Sequence, residues 1–284
     1  MNDDGDSPVR EAPNRRLAEE YALVLATAGI EARMEFADGR WVVSVPEEHV
    51  EQATGALTAY DGDRERVDDE PEPPQSLAGV FLSLIIVIIY ALSGPRARWS
   101  EAFRAGSAVA ERIVAGEWWR AVTALTLHAD AAHILGNAFI GLVFTTAVCR
   151  LLGPGLGTAL ILSTGVVGNL LAAVVRRTAS SSVGASTAIF GAVGILCGRA
   201  VVRAVRRRTT GRRPWIPLAA GLALLALLGT SERADLLAHA TGFAVGLPLG
   251  AMTAGTPRPG RPVQAALAAA SALLVAGSWW LALR

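Results

Sequence analysis

The sequence predicts an all-α polytopic membrane protein, a bundle of seven transmembrane helices preceded by a small α+β soluble domain. Two observations lead to this prediction. The 284-residue chain is 52% hydrophobic, with a mean hydropathy of +0.39, which is too apolar for an ordinary soluble domain. Its apolar residues are also unevenly distributed: Asp, Glu and Arg are frequent up to about residue 75, whereas Leu, Val, Ala and Gly dominate afterwards.

Residues 1–60 are predicted to form the soluble α+β domain. The first 14 residues are polar, and we expect them to be disordered. The periodicity that follows predicts a helix over 15–30, strands over 31–36 and 41–45 around a turn at Asp38 and Gly39, and a second helix over 46–60. Residues 61–75 are acidic and contain proline, which predicts a linker.

Residues 76–284 are predicted to form the membrane domain, with a core over about 76–253 and an additional helix over about 263–282. Each apolar stretch has close to the ~20 residues that a spanning helix needs. The stretches cover about 77–93, 131–152, 156–175, 186–203, 214–230, 235–253 and 263–282. Cys149 and Cys197 lie in separate stretches, which favours buried thiols over a disulfide.

The arginines predict an orientation in the membrane. The loop between the fourth and fifth stretches contains or borders Arg203, Arg206, Arg207, Arg208, Arg212 and Arg213. By the positive-inside rule this loop is cytoplasmic, which puts the N-terminus inside and the C-terminus outside. Arg176, Arg177 and the arginines of the 94–120 loop oppose this orientation. The net charge of +1 gives no reason to expect nucleic acid as a partner.

Two reactive side chains lie at or within the apolar stretches. Ser186 begins the fourth stretch and His239 lies in the sixth. A reactive or ionisable group at membrane depth is costly and therefore indicates function. Ser186 alone is explained as well by helix packing. For His239 that explanation is weaker, because Gly242, Gly246 and Gly250 follow on its helical face and predict close contact with a neighbouring helix.

A third polar cluster lies at the start of the second stretch. His133 and Asn137 are one helical turn apart and can both donate hydrogen bonds to an oxyanion. His128 precedes them and does not share their face. A zinc site is the competing interpretation of these histidines, but the HExxH spacing is absent and no Cys or Glu completes a ligand set.

Taken together, these motifs resemble those of the rhomboid intramembrane serine proteases. The matching residues occur in the family's order: Trp119 and Arg120 in a long first loop, then His128, His133 and Asn137, then Gly184 and Ser186 with Phe190, and finally His239 with Gly242. The resemblance covers about residues 75–253. The seventh stretch corresponds to the form of the family in which one helix follows a six-helix core.

The resemblance implies a Ser186–His239 dyad that cleaves membrane proteins in or near their transmembrane segments. It assigns the oxyanion hole to His133, Asn137 and the backbone N–H of Ser186. His128 would support the first loop, and Phe190 would stack on His239. No cofactor or metal is implied. The expected partners are transmembrane substrates and the lipid bilayer, and the expected location is a prokaryotic plasma membrane.

Two departures and one alternative accompany the resemblance. Thr187 stands where the family often has glycine, so its branched side chain could narrow the oxyanion region. Asp235 lies one turn before His239 and could orient it as a third triad member, although the family works as a dyad. The alternative function is that of a catalytically inactive relative that binds transmembrane helices for quality control. No catalytic role is assigned to residues 1–60.

Overall fold

The computed structural model describes residues 6–68, 75–176, 181–206, 213–229 and 235–284. The chain forms two compact units, Met1–Glu72 and Pro73–Arg284. Part of the predicted linker (69–74), together with Arg177, Arg207, Arg208 and Arg212, lies outside the described residues.

The first unit is an α+β module. Its elements are β1 (Asp6–Ala12), α1 (Arg15–Thr27), β2 (Arg33–Ala37), β3 (Arg40–Pro46) and α2 (Val50–Asp68). The three strands form an antiparallel sheet in the order β1-β3-β2. The core contains Leu25, Val43, Val45 and Leu57, which are fully buried. Val43 and Val45 share one face of β3 because successive strand side chains point to opposite faces.

Two expectations for this module were wrong. The segment expected to be disordered contains β1, whose pairing with β3 shifts register between Pro8 and Arg10. That irregularity breaks the two-residue alternation by which a strand is recognised. Helix α2 also continues past residue 60 into the predicted linker, as far as Asp68. There Asp61 accepts a hydrogen bond from Tyr21 Oη at 2.8 Å, which attaches this acidic turn to α1.

The second unit is helical. Its elements are α3 (Ala78–Ser93), α4 (Glu101–Gly106), β4 (Ala108–Val109), α5 (Ala110–Val114), α6 (Arg120–Thr123), α7 (Ala131–Leu152), α8 (Pro154–Arg176), β5 (Ser181–Ser182), α9 (Ser186–Arg206), α10 (Ile216–Gly229), α11 (Leu236–Met252) and α12 (Arg261–Ala282). The two-residue strands β4 and β5 pair with each other. This pairing joins the first loop, which is the segment 94–130 between α3 and α7, to the segment that precedes α9.

The membrane-protein class is confirmed, because the second unit is built from apolar helices of spanning length. Among the described residues, the segments long and apolar enough to cross a bilayer are Ala78–Arg98, Ala131–Leu152, Pro154–Arg176, Ser186–Arg206 and Arg261–Ala282. The remaining two apolar stretches form α10 and α11, whose apolar parts, Ile216–Leu227 and Leu236–Met252, are shorter. The number of seven spans therefore stays a prediction.

Glycines bring α9 and α11 into close contact. An added Cβ at Gly242 would lie 2.2 Å from the carbonyl oxygen of Thr187, and one at Gly246 would lie 2.2 Å from that of Gly191. On the other side, a Cβ at Gly194 would lie 2.3 Å from the carbonyl oxygen of Phe243. Backbones can approach this closely only where side chains are absent. The close contact predicted from the glycine spacing of α11 is therefore present, and its partner is α9.

Candidate active site

Ser186 lies at the first position of α9, directly after a turn that requires glycine. Gly184 has a φ of +132°, which side chains disfavour, and a Cβ there would lie 2.7 Å from Cε1 of His133. The Gly184 N–H donates to the carbonyl oxygen of Ala124 at 2.9 Å. The conformation of this turn therefore requires a residue without a side chain at position 184. The hydrogen bond to Ala124 attaches the turn to the first loop.

The structure brings Ser186 and His239 together. Nε2 of His239 lies 2.7 Å from Oγ of Ser186, within hydrogen-bonding distance. The His239 side chain is buried, and the ring of Phe190 is stacked against it with a centroid distance of 4.7 Å and an interplanar angle of 31°. A hydroxyl beside an imidazole is the arrangement in which the ring can accept the hydroxyl proton.

His133 and Asn137 lie on the same wall of the site. Nδ1 of His133 accepts from the Ala129 N–H at 3.4 Å, so in the neutral ring the proton is on Nε2. A Cβ at Gly184 would lie 2.8 Å from that Nε2 and 3.5 Å from Oγ of Ser186, so both atoms border the same space. The Asn137 amide donates to the carbonyl oxygen of His133 at 2.9 Å. The wall thus offers N–H donors beside the hydroxyl.

A cavity of about 680 Å³ contains these groups. Ser186, His239, His133 and Asn137 all line it, together with Phe190 and apolar side chains of α7 and α9. A cavity of this size admits part of a peptide chain as well as water. The four polar residues predicted from separate segments of the sequence are therefore brought together around one space.

His128 lies behind the site. It is fully buried, and its Nε2 accepts from the backbone N–H of Ala185, next to Ser186, at 3.4 Å. Burial, followed by the nearby His133, lowers the pKa of the His128 imidazole to about 3. A ring that stays neutral can keep accepting this hydrogen bond at any physiological pH. His128 thus contacts the turn that bears Ser186, a more specific contact than general support of the first loop.

Trp119 and Arg120 organise the first loop and do not line the cavity. The guanidinium of Arg120 is buried and donates through Nη1 to the carbonyl oxygens of Arg104 and Ser107, both at 3.0 Å. Its Nε also donates to Glu117 at 2.5 Å. Trp119 packs edge-on against Trp118, with ring centroids 6.3 Å apart. Arg120 is therefore buried within the loop, whereas Trp119 is half-buried beside the exposed Trp118.

Thr187 does not occupy the place expected for it. Its side chain is buried. The methyl carbon Cγ2 packs against Gly168 and Gly242, which have no side chain of their own. An added Cβ at these two glycines would lie 2.8 Å and 3.1 Å from Cγ2. The methyl group therefore fills a notch between α8 and α11. The expectation that it narrows the oxyanion region is wrong, because the side chain points between helices rather than into the cavity.

Two arginines that oppose the positive-inside rule, Arg96 and Arg176, have local roles that were not predicted from the sequence. Arg96 lines the cavity and donates through Nη2 to the carbonyl oxygen and the hydroxyl of Ser181, at 2.8 and 2.9 Å. Arg176 forms an ion pair with Asp235. Their position on the side predicted to be outside was the signal that could have identified them. Among the described residues, no cluster of three or more His, Cys, Asp or Glu could hold a metal ion.

The residues of this site lie in a region of the chain that matches a known protein family. A family model described as "Rhomboid domain" matches residues 115–256, half of the chain. This range includes His128, His133, Asn137, Ser186 and His239. Helix α12 and the N-terminal module lie outside it.

Curated relatives with rhomboid names match shorter regions. YdcA of Bacillus subtilis (strain 168) is 36% identical over 83 residues, which cover 29% of this chain and 42% of that protein. The rhomboid protease GluP of the same organism is 30% identical over 117 residues, covering 41% of this chain and 23% of GluP. Rhomboid-like protease 1 of Toxoplasma gondii is 30% identical over 140 residues, covering 49% of this chain and 48% of that protein. The matches thus span less than half the length of each relative.

Proposed function

The chain belongs to the rhomboid family, and on that premise we propose that it is an intramembrane serine endopeptidase with Ser186 as nucleophile and His239 as general base. The single observation that supports this most strongly is the 2.7 Å separation between Oγ of Ser186 and Nε2 of His239. These residues come from different helices, 53 positions apart. Packing alone does not require a hydroxyl and an imidazole to face each other in a cavity.

The proposed reaction begins with attack of Ser186 Oγ on a substrate carbonyl carbon. Nε2 of His239 accepts the hydroxyl proton as the O–C bond forms. The carbonyl oxygen becomes an oxyanion, for which the Nε2–H of His133, the Asn137 amide and the backbone N–H of Ser186 are the proposed donors. His239 then gives its proton to the leaving amine as the C–N bond breaks.

Hydrolysis of the acyl-enzyme completes the cycle. Water attacks the ester carbon, His239 accepts a proton from that water, and the proton returns to Ser186 Oγ as the ester bond breaks. Each proton and bond is accounted for without a cofactor or metal. The water must reach a serine at the end of an apolar helix, and the cavity beside Ser186 provides space for it.

The proposed substrates are membrane proteins cleaved in or near a transmembrane segment. A stable helix keeps its carbonyls in its own hydrogen bonds, so the favoured substrates contain residues that destabilise a helix near the cut. The protein is an integral, multi-pass membrane protein. Its proposed setting is a prokaryotic plasma membrane, with the N-terminus cytoplasmic and the C-terminus outside.

Cleavage of a transmembrane reporter in detergent tests the proposal. Ser186→Ala and, separately, His239→Ala are expected to lose at least about 1,000-fold of the cleavage rate, because each removes a group that acts in the transition state. The matched control is Ser163→Ala on α8, whose exposed hydroxyl bonds within its own helix. Full cleavage by either purified active-site variant would overturn the dyad. If the wild-type protein binds the reporter without cutting it, the chain is the inactive, helix-binding type of relative.

A further inference from the structure

Helix α12 lies beyond the region matched by the family model, which ends at residue 256. Near its beginning, Gln264 is buried and joins α12 to the connection between α7 and α8. Its Oε1 accepts from the N–H groups of Gly155 and Leu156 at 2.7 and 2.9 Å, and its Nε2 donates to the carbonyl oxygen of Leu152 at 2.9 Å. This attachment fixes one end of α12 in the bundle.

The other end of α12 contacts the first loop through Trp279. Its indole Nε1–H donates to Oγ1 of Thr126 at 3.1 Å. The same hydroxyl donates to the carbonyl oxygen of Thr123 at 2.7 Å, so its direction is fixed by two bonds. The indole ring also packs over Gly106, where a Cβ would lie 2.7 Å from ring atom Cη2. Trp279 thus contacts the first loop in two ways, by packing over Gly106 and by a hydrogen bond to Thr126.

Thr126 lies between the two residues that hold the turn before the nucleophile. On one side, the carbonyl oxygen of Ala124 accepts from the N–H of Gly184 at 2.9 Å. On the other side, Nε2 of His128 accepts from the N–H of Ala185 at 3.4 Å. A shift of the 124–128 segment would therefore move Gly184 and Ala185.

From these contacts we infer that Trp279 is a positioning residue for the proposed reaction. Through Thr126 it fixes the 124–128 segment, and through that segment it fixes the Ser186 hydroxyl and backbone N–H. Trp279 does not line the cavity, so it acts without touching the substrate. A displacement of a reacting group by about 1 Å can lower the reaction rate roughly 100-fold. A residue outside the cavity that holds Ser186 in place can therefore affect the rate. This inference rests on the proposed function of Ser186.

The test compares Trp279→Phe with Trp280→Phe in the full-length protein. Phenylalanine keeps an aromatic side chain and removes the indole N–H, and it also shortens the ring that packs over Gly106; Thr126→Val removes the hydrogen bond without changing that packing. Trp280 is the adjacent residue on α12 and is 56% exposed, so it is a matched control. Two rates are measured in detergent: labelling of Ser186 by a fluorophosphonate, and cleavage of a transmembrane reporter. The folded fraction of each variant is measured by thermal unfolding.

Trp279→Phe is expected to lower the labelling rate and kcat by about 3- to 10-fold, the usual effect of one hydrogen bond. KM should change by less than about twofold. Trp280→Phe should match the wild type. Thr126→Val should be slowed at least as much as Trp279→Phe, because it also removes the hydrogen bond to the carbonyl oxygen of Thr123. The double variant should be no slower than Thr126→Val alone, because the hydrogen bond between the two side chains is already lost in that variant. A merely structural role would lower the folded fraction without changing kcat per folded molecule.

The remaining outcomes distinguish failure of the inference about Trp279 from failure of the proposed function. If the wild type is labelled at Ser186 and folded Trp279→Phe is labelled at the same rate, the inference is overturned and the proposed function stands. If folded wild-type protein is not labelled, the proposed function itself fails. If Trp279→Phe does not fold, Thr126→Ser, which keeps the hydroxyl, is compared with Thr126→Val. Equal labelling rates for those two would also overturn the inference.

Discussion

Arg176 donates two hydrogen bonds to the carboxylate of Asp235, one of them from Nη1 to Oδ2 at 2.8 Å. The same carboxylate accepts from the N–H of Ala238 and so caps the helix that bears His239. The end of α8 is thereby joined to the beginning of α11. Because the carboxylate is engaged in this way, we expect Asp235 to position the His239 helix rather than act as a third triad member.

Asp235→Asn should lower the free energy of unfolding by about 1–2 kcal/mol at pH 7, because it removes the ion pair and keeps a capping side chain. Burial disfavours ionisation of Asp235, but the hydrogen bonds from Arg176 and Ala238 outweigh it and hold the pKa of this carboxyl below its usual 3.8. A carboxyl with a depressed folded pKa stabilises the fold above its unfolded pKa, and this contribution is lost as pH falls through the folded pKa.

The difference in thermal unfolding between wild type and Asp235→Asn should therefore be constant from pH 7 to about pH 5. It should shrink below about pH 4. The matched control is Asp38→Asn, an exposed turn residue of the N-terminal module. A difference that persists unchanged at pH 3 would show that the charge of Asp235 does not contribute.

Thr187→Ser should leave kcat within about twofold of the wild type and cost about 1 kcal/mol of stability. The substitution deletes the buried methyl group that packs against Gly168 and Gly242 and keeps the hydroxyl. Steady-state cleavage and thermal unfolding measure the two effects. A severalfold rise in kcat would contradict the structure, because it would mean that the methyl group restricts the oxyanion region.

Gly246→Ala should destabilise the bundle by about 3 kcal/mol or more, because the new Cβ would lie 2.2 Å from the carbonyl oxygen of Gly191. The backbone of α9 must move to admit it. Gly277→Ala on α12 is the matched control, since nothing lies within 4 Å of its Cβ position. Equal thermal stability of the two variants would show that α9 and α11 are not in close contact.

Gln264→Leu should cost about 2–4 kcal/mol, because it leaves the N–H groups of Gly155 and Leu156 and the carbonyl oxygen of Leu152 without their side-chain partner. Leucine has a volume similar to that of glutamine, so the loss of stability measures the contribution of the polar contacts. Val263→Ala, at an exposed neighbouring position, is the control for thermal unfolding in detergent. Unchanged stability of Gln264→Leu would contradict the attachment of α12 through this residue.

The sequence could predict the features that depend on spacing along one helix. The apolar length of each stretch, the glycine face of α11 and the turn that separates His133 from Asn137 are all local patterns. The combination of Ser186, His239 and this cluster also resembled a family, so the close approach of distant segments could be expected. In the structure Nε2 of His239 lies 2.7 Å from Oγ of Ser186, and their role as a catalytic dyad stays a proposal.

Features that depend on contacts between segments could not be predicted in this way. Strand β1 was missed because its irregular pairing breaks the alternation, and its register is set by β3. The direction of Thr187 depends on glycines of two other helices. The contact between Trp279 and Thr126 joins residues 153 positions apart. No pattern in one segment specifies such a partner.

The most direct test of the central claim is peptide mapping by mass spectrometry after treatment of the folded protein with a fluorophosphonate. The reagent forms a bond between phosphorus and a nucleophilic oxygen, and fluoride leaves. Wild-type protein is expected to carry the adduct on Ser186, because His239 can accept the hydroxyl proton during attack. His239→Ala should remain unlabelled under the same conditions. Folded wild-type protein without an adduct on Ser186, or equal labelling of His239→Ala, would contradict the proposed dyad.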